Sequence, residues 1–164
     1  AMPTPRGYSA RQIRLHWIVT LLIILQFVLH DSMSEAWDKL QEGQTPGFNW
    51  LVLSHVIGGG LVLIFAIWRL VLRQTRGIPP APETEPASLR LAAHFGHLAL
   101  YALMILMPLS GMAAWFGGIT TAADVHGLLK IALLALVALH VVAALWHQFW
   151  LKDRLMLRMK RPLD

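Results

Sequence analysis

The sequence predicts an all-α integral membrane protein: a four-helix bundle with both termini on the cytoplasmic side. Three observations carry this. Of 164 residues, 56% are hydrophobic and 14% charged, whereas soluble domains carry about 25% charged residues. Apolar residues gather into four runs, each long enough to cross about 30 Å of hydrocarbon. The Arg and Lys residues concentrate at alternate ends of those runs, which is the signature of topology. Backbone in lipid must satisfy its own hydrogen bonds, so each run is a helix.

The first span runs from about Gln12 to His30, preceded by Arg6, Arg11 and Arg14. No small-residue cleavage site follows it, so it is expected to remain as a helix. The next loop holds Asp31, Glu35, Asp38 and Glu42 against one Lys39, and a short interfacial helix is expected from Glu35 to Gln41. The second span, about Trp50 to Leu72, leads into a proline-rich connector, GIPPAPETEPA, framed by Arg69, Arg73, Arg76 and Arg90. The third span, about Leu91 to Trp115, contains Pro108 and Gly111, which permit a kink. A short loop without basic residues follows, and then the fourth span, about Asp124 to Trp150. The tail carries Lys152, Arg154, Arg158, Lys160 and Arg161, so basic residues alternate in, out, in, out, in. Residues 1–164 are expected to form one transmembrane domain. Tryptophans near the span ends, among them Trp50, Trp68, Trp115, Trp146 and Trp150, fit interfacial anchoring. Trp17 beside His16 fits that role or the edge of a cofactor.

Composition excludes several classes. There is no cysteine, which removes disulfides, iron–sulfur clusters and thioether-linked haem. The net charge of +5 lies at span ends rather than on one face, so nucleic acid is not an expected partner, whereas membrane lipid is.

Eight histidines are present, most of them inside or at the ends of apolar runs, where an imidazole is costly and needs a partner. His126 and His140 are fourteen residues apart on the fourth span. That spacing returns to nearly the same helix face about 21 Å further along. Topology gives each histidine a depth. His55 and His126 fall near the outer end, His16 and His140 toward the cytoplasmic end. Each pair suits the two axial positions of a haem, and bis-imidazole ligation leaves no position for oxygen, so such haems transfer electrons. Interhelical hydrogen bonding is one alternative. A histidine-based metal transporter is another, although transporters normally add carboxylates within the spans, and these interiors lack Asp and Glu. Gly58, Gly59, Gly60 and Gly127 beside these histidines admit a flat macrocycle or close helix packing.

The chain resembles the bacterial cytochrome b561 family, which includes a superoxide oxidase, and also the cytochrome b subunits of membrane formate dehydrogenases and nickel hydrogenases. The resemblance rests on RLHW at Arg14–Trp17, HVIGG at His55–Gly59, RLVLR at Arg69–Arg73, AHFGHLALY at Ala93–Tyr101, PLSG at Pro108–Gly111, and ALHVVAALWHQFWLKD at Ala138–Asp153. It implies a bacterial inner-membrane protein with two haem b groups, the inner held by His16 and His140 and the outer by His55 and His126. It implies electron transfer between an outer donor, superoxide or a redox protein, and ubiquinone bound near the inner haem. His94, His97, His147 and Arg14 are candidates for the quinone or for haem propionates; Arg73 and Arg90 fit propionates or the positive-inside rule. Lys130, one turn after His126, is a candidate to attract superoxide, or a snorkelling lysine. The acidic outer loops depart from what a superoxide-gathering surface requires and favour a basic protein donor. Monomer and homodimer are both left open.

Overall fold

The computed structural model describes residues 4–163 and is helical, with no strand among them. Five α-helices follow in order: α1 (Ala10–Val28), α2 (His30–Gln41), α3 (Trp50–Thr75), α4 (Ala87–Trp115) and α5 (Thr120–Leu145). A π-helical stretch, Trp146–Leu151, extends α5, and a 3-10 helix, Leu155–Met159, closes the chain. The helices α1, α3, α4 and α5 with its extension are each long and apolar enough to cross a membrane.

Local sequence sets the boundaries. Ser9 begins α1 with a capping box: its hydroxyl accepts from the Gln12 backbone N–H, and the Gln12 side chain accepts from the Ser9 N–H. Asn49 caps α3 by accepting from the Leu51 N–H at 2.8 Å. Pro86 immediately precedes α4, which therefore starts four residues earlier than the apolar run alone suggests. Gly118, at φ +65°, takes the left-handed conformation that turns the chain tightly from α4 into α5.

The spans extend past the expected ends at Thr75, Ala87 and Thr120, and two further differences bear on the histidines. The first span ends at Val28 rather than at His30, because the helix breaks at Leu29 and His30 opens α2. The expected interfacial helix is therefore a full turn longer, and it folds against α3 and α1. The second difference is the π-helical end of the fourth span. His147 is the second residue of that stretch.

Neighbours pack as α1 on α3, α3 on α4 and α4 on α5. Neither α1 nor α3 packs closely on α5. The core joins Val19 of α1, Val62 and Ala66 of α3 and Met104 of α4. In register this cluster falls between His16 and Gln26 on α1 and between His55 and Arg69 on α3, so it separates the two ends of the bundle.

The end that carries both termini is closed by polar contacts. Gln12, 8% exposed, accepts from Arg76 at 2.8 Å and donates to the Gly77 carbonyl at 3.1 Å. Arg76 also donates to the carbonyls of Gly7 and Leu163. The Trp17 indole donates to the Met159 carbonyl at 2.8 Å, and Arg158 to that of Pro80 at 2.7 Å. The C-terminal segment thus lies folded over this end.

Candidate functional site: two histidine pairs

At the end remote from the termini, a cavity of about 250 Å³ is lined from all five helices, including His30, His55, Gly59, Gly111, His126 and Lys130. The rings of His55 and His126 face each other across it with centroids 6.4 Å apart. His126 Nδ1 lies 2.8 Å from the Met107 carbonyl and 3.1 Å from Ser110 Oγ. A donor N–H at Nδ1 satisfies the carbonyl and leaves Nε2 as the free lone pair. Gly111 makes room for this ring: a Cβ there would stand 3.0 Å from His126 Cε1. A Cβ at Gly60 or Gly127, both on the cavity wall, would meet no atom within 4 Å. The glycines therefore keep the cavity open.

Lys130 is anchored rather than free. Its ammonium donates to His30 Nε2 at 2.8 Å, joining α5 to α2 across the cavity rim. His30 was not legible as a site residue, because its role depends on the break at Leu29.

At the terminus-bearing end, His16 and His140 face each other with centroids also 6.4 Å apart. His97 adds a third ring 5.6 Å from His140. A smaller cavity of about 70 Å³ is lined by Tyr8, Gln12, His16, Arg69, Arg73 and His97, together with Tyr101. Burial, and then the neighbouring Tyr101, hold the Tyr8 phenol above its usual pKa, so it stays protonated as a donor.

The match to the family model for prokaryotic cytochrome b561 covers residues 7–162. This chain belongs to the prokaryotic cytochrome b561 family. A cytochrome b562 from Cereibacter sphaeroides is 38% identical over 95% of this chain and 96% of that protein. A probable superoxide oxidase CybB from Yersinia pestis is 30% identical over 94% of this chain and 96% of its own length. Cytochrome b561 homolog 1 of Escherichia coli is 27% identical over 93% of this chain. As a member of the cytochrome b561 family, the chain is a multi-pass bacterial inner-membrane protein that transfers electrons through b-type haem.

The residues present fit such a group. An imidazole nitrogen lies about 2 Å from a first-row metal ion and the ring centre about 1.1 Å behind it, so two trans imidazoles place their centroids about 6.3 Å apart. Both histidine pairs have that spacing. Each spans a gap between α5 and a helix that does not pack closely on it, as a flat group needs. His16 Nδ1 is buried without a hydrogen-bond partner, which costs about 1–3 kcal/mol while that nitrogen stays unengaged. Among the described residues no group of three His, Asp or Glu side chains is arranged to hold a metal ion by itself.

The other candidates separate. His97 lines the smaller cavity. His94 is exposed, 3.5 Å from Arg73. Arg14 is exposed and does not line either cavity. His147 lies between two carboxylates: its Nδ1 pairs with Asp153 and its Nε2 is 3.4 Å from Glu85. Both ring nitrogens are thereby committed, and the cluster clasps the connector to the tail. Lys152 (φ 51°) and Arg154 (φ 61°) take left-handed conformations on either side of Asp153. That backbone is strained for non-glycine residues and sets the Asp153 carboxylate beneath His147.

Proposed function

We propose that this cytochrome holds two haem b groups and carries electrons from a donor on the outer side, superoxide in the first instance, to ubiquinone near the cytoplasmic side. His55 and His126 would hold the outer haem, His16 and His140 the inner. The observation that supports this most directly is the 6.4 Å spacing shared by both pairs. Each haem, when bound, would supply a one-electron couple. The basic flanks of the spans support placing both termini in the cytoplasm.

The chain's own residues then have defined tasks. The Met107 carbonyl fixes the His126 tautomer and ring plane. Lys130, held by His30 at the cavity rim, offers a cation for an incoming anion. At the inner end, His97 and Tyr8 stand where they can hydrogen-bond a quinone and pass it protons. Two superoxide ions each lose one electron and leave as dioxygen; one ubiquinone gains both electrons and two protons. The 30% identity to a probable superoxide oxidase supports the donor.

A second reading is a relay that accepts electrons from a basic protein partner without substrate chemistry of its own. The acidic α2, with Asp31, Glu35 and Asp38 over the outer cavity, favours it. Stopped-flow mixing of the purified holoprotein with superoxide separates the readings. Rapid haem reduction with stoichiometric ubiquinol supports the oxidase. No reduction, with normal reduction by a basic cytochrome, supports the relay. Fewer than two haems per chain by pyridine haemochrome would overturn the di-haem assignment.

A further inference from the structure

Arg69 sits six residues before the end of α3, deeper than the positive-inside pattern requires. A guanidinium at that depth is costly without a counter-ion. Arg73 follows at i+4 on the same helix face, a spacing at which like charges repel. Among the described residues no ion pair includes either arginine. Both guanidinium groups lie against the one ring of Tyr101, at 5.4 and 5.9 Å from its centroid. A cation–π contact recovers only part of what burying a charge costs. The cavity they share with His16 and His97 is lined by cations, imidazoles, phenols and an amide, with no carboxylate. Two unneutralised cations aimed into one cavity describe an anion site whose anion comes from outside the chain.

We propose that Arg69 and Arg73, steadied by the ring of Tyr101, form a paired seat for the carboxylate edge of the haem between His16 and His140. This rests on the reading that a haem lies between those two histidines. Haem b carries two carboxylates on one edge, and two forked guanidinium groups match a pair of carboxylates better than lysines would. The seat orients that edge toward the terminus-bearing end. It also places two positive charges beside the inner iron, which favours the reduced form and raises its potential relative to the outer haem.

The test is a potentiometric titration of purified holoprotein carrying Arg69→Gln, Arg69→Lys or Arg73→Gln, with Arg11→Gln as an exposed control at the same end. Arg69→Gln is expected to shift one haem's reduction equilibrium about tenfold toward the oxidised form, about 59 mV for one electron. The other haem stays unmoved. Arg73→Gln gives a smaller shift in the same component, Arg69→Lys recovers at least half, and Arg11→Gln changes nothing. The haem-carboxylate bands of the redox-induced infrared difference spectrum move in Arg69→Gln and not in Arg11→Gln.

Unchanged potentials and bands in both Arg69→Gln and Arg73→Gln would overturn the seat. So would a loss of bound phospholipid phosphate from these variants at unchanged potentials, which would assign the anion to a lipid. If Arg69→Gln fails to assemble, Arg73→Gln and Arg69→Lys decide alone. Haem content keeps the two levels of the argument apart. If His16→Ala retains both haems, the ligand assignment fails. If His16→Ala loses one haem while the arginine variants leave the potentials unmoved, only the seat fails.

Discussion

Gly111→Ala tests the fit of the outer pair from the protein side. The new Cβ would stand 3.0 Å from His126 Cε1 and 3.2 Å from Nδ1, where carbon atoms in contact prefer about 3.5–4.0 Å. The imidazole cannot swing away freely, because its Nδ1 is held at 2.8 Å by the Met107 carbonyl on the same helix as the new methyl. Relief therefore needs a ring shift of about half an ångström, which takes the hydrogen bond toward the limit of good geometry near 3.2 Å, or a retreat of α4 from α5. Overpacking of this kind costs about 1–3 kcal/mol. For a chain of this length that lowers Tm by about 2–4 °C per kcal/mol. The decisive assay is a redox titration of the reduced-minus-oxidised spectrum. One of the two components should shift, broaden or be lost. The other, about 21 Å away along α5 and screened by the core around Val62 and Met104, should not move. Gly127→Ala is the paired control: its Cβ meets no atom within 4 Å, so it should lower haem loading without straining His126. If Gly111→Ala leaves both spectral components and Tm unchanged, the claim that Gly111 exists to admit His126 is wrong.

Three further outcomes are expected. Gln12→Leu takes one of three acceptors from the Arg76 guanidinium and the side-chain donor from the Gly77 carbonyl at the closed end, and should cost about 1–3 kcal/mol in detergent unfolding experiments. Lys130→Ala should slow superoxide-dependent haem reduction at low salt. It should also abolish the fall in rate with rising salt, because a screened local attraction is what that fall measures. Burial raises the Asp153 pKa, but the hydrogen bonds from His147 and the Leu155 N–H outweigh it and hold it below the usual 3.8. A depressed carboxylate contributes fully above its unfolded value and loses that contribution as pH falls through the folded one. Protection of residues 152–163 against proteolysis should therefore persist down to about pH 4 and fade below it, while Asp153→Asn should expose the tail already at neutral pH.

What could be read in the chain beforehand followed from long-range order in the pattern. Hydropathy and basic flanks place the four spans, and depth alone joins His16 to His140 and His55 to His126. The structure brings those rings together. What could not be read depends on tertiary contact. The break at Leu29 carries no proline or glycine, so nothing local announces that His30 will reach Lys130. The π-helical turn has no sequence signature here, and the contacts of His147 with Glu85 and Asp153 depend on the folded connector and tail. Arg69 is indistinguishable in sequence from its neighbours at the span end. Only the shared ring of Tyr101 and the lack of a carboxylate nearby set it apart.

The helix that contributes to both pairs is also the least buried of the four spans. Within α5 only Leu133 is buried, and its close packing on another helix is against α4 alone. On the faces toward α1 and α3 the connection is made by imidazoles. The two cofactors would then act as rivets: each fastens α5 to a different helix, and the two fastenings are set by one rigid fourteen-residue ruler. Filling either site would bring α5 into register for the other. An emptied site would loosen the same helix along its whole length and leave a chain that membrane quality control can tell from a finished one. Electron transfer and assembly would thus share a single structural requirement, and a defect in loading one end would be felt at both.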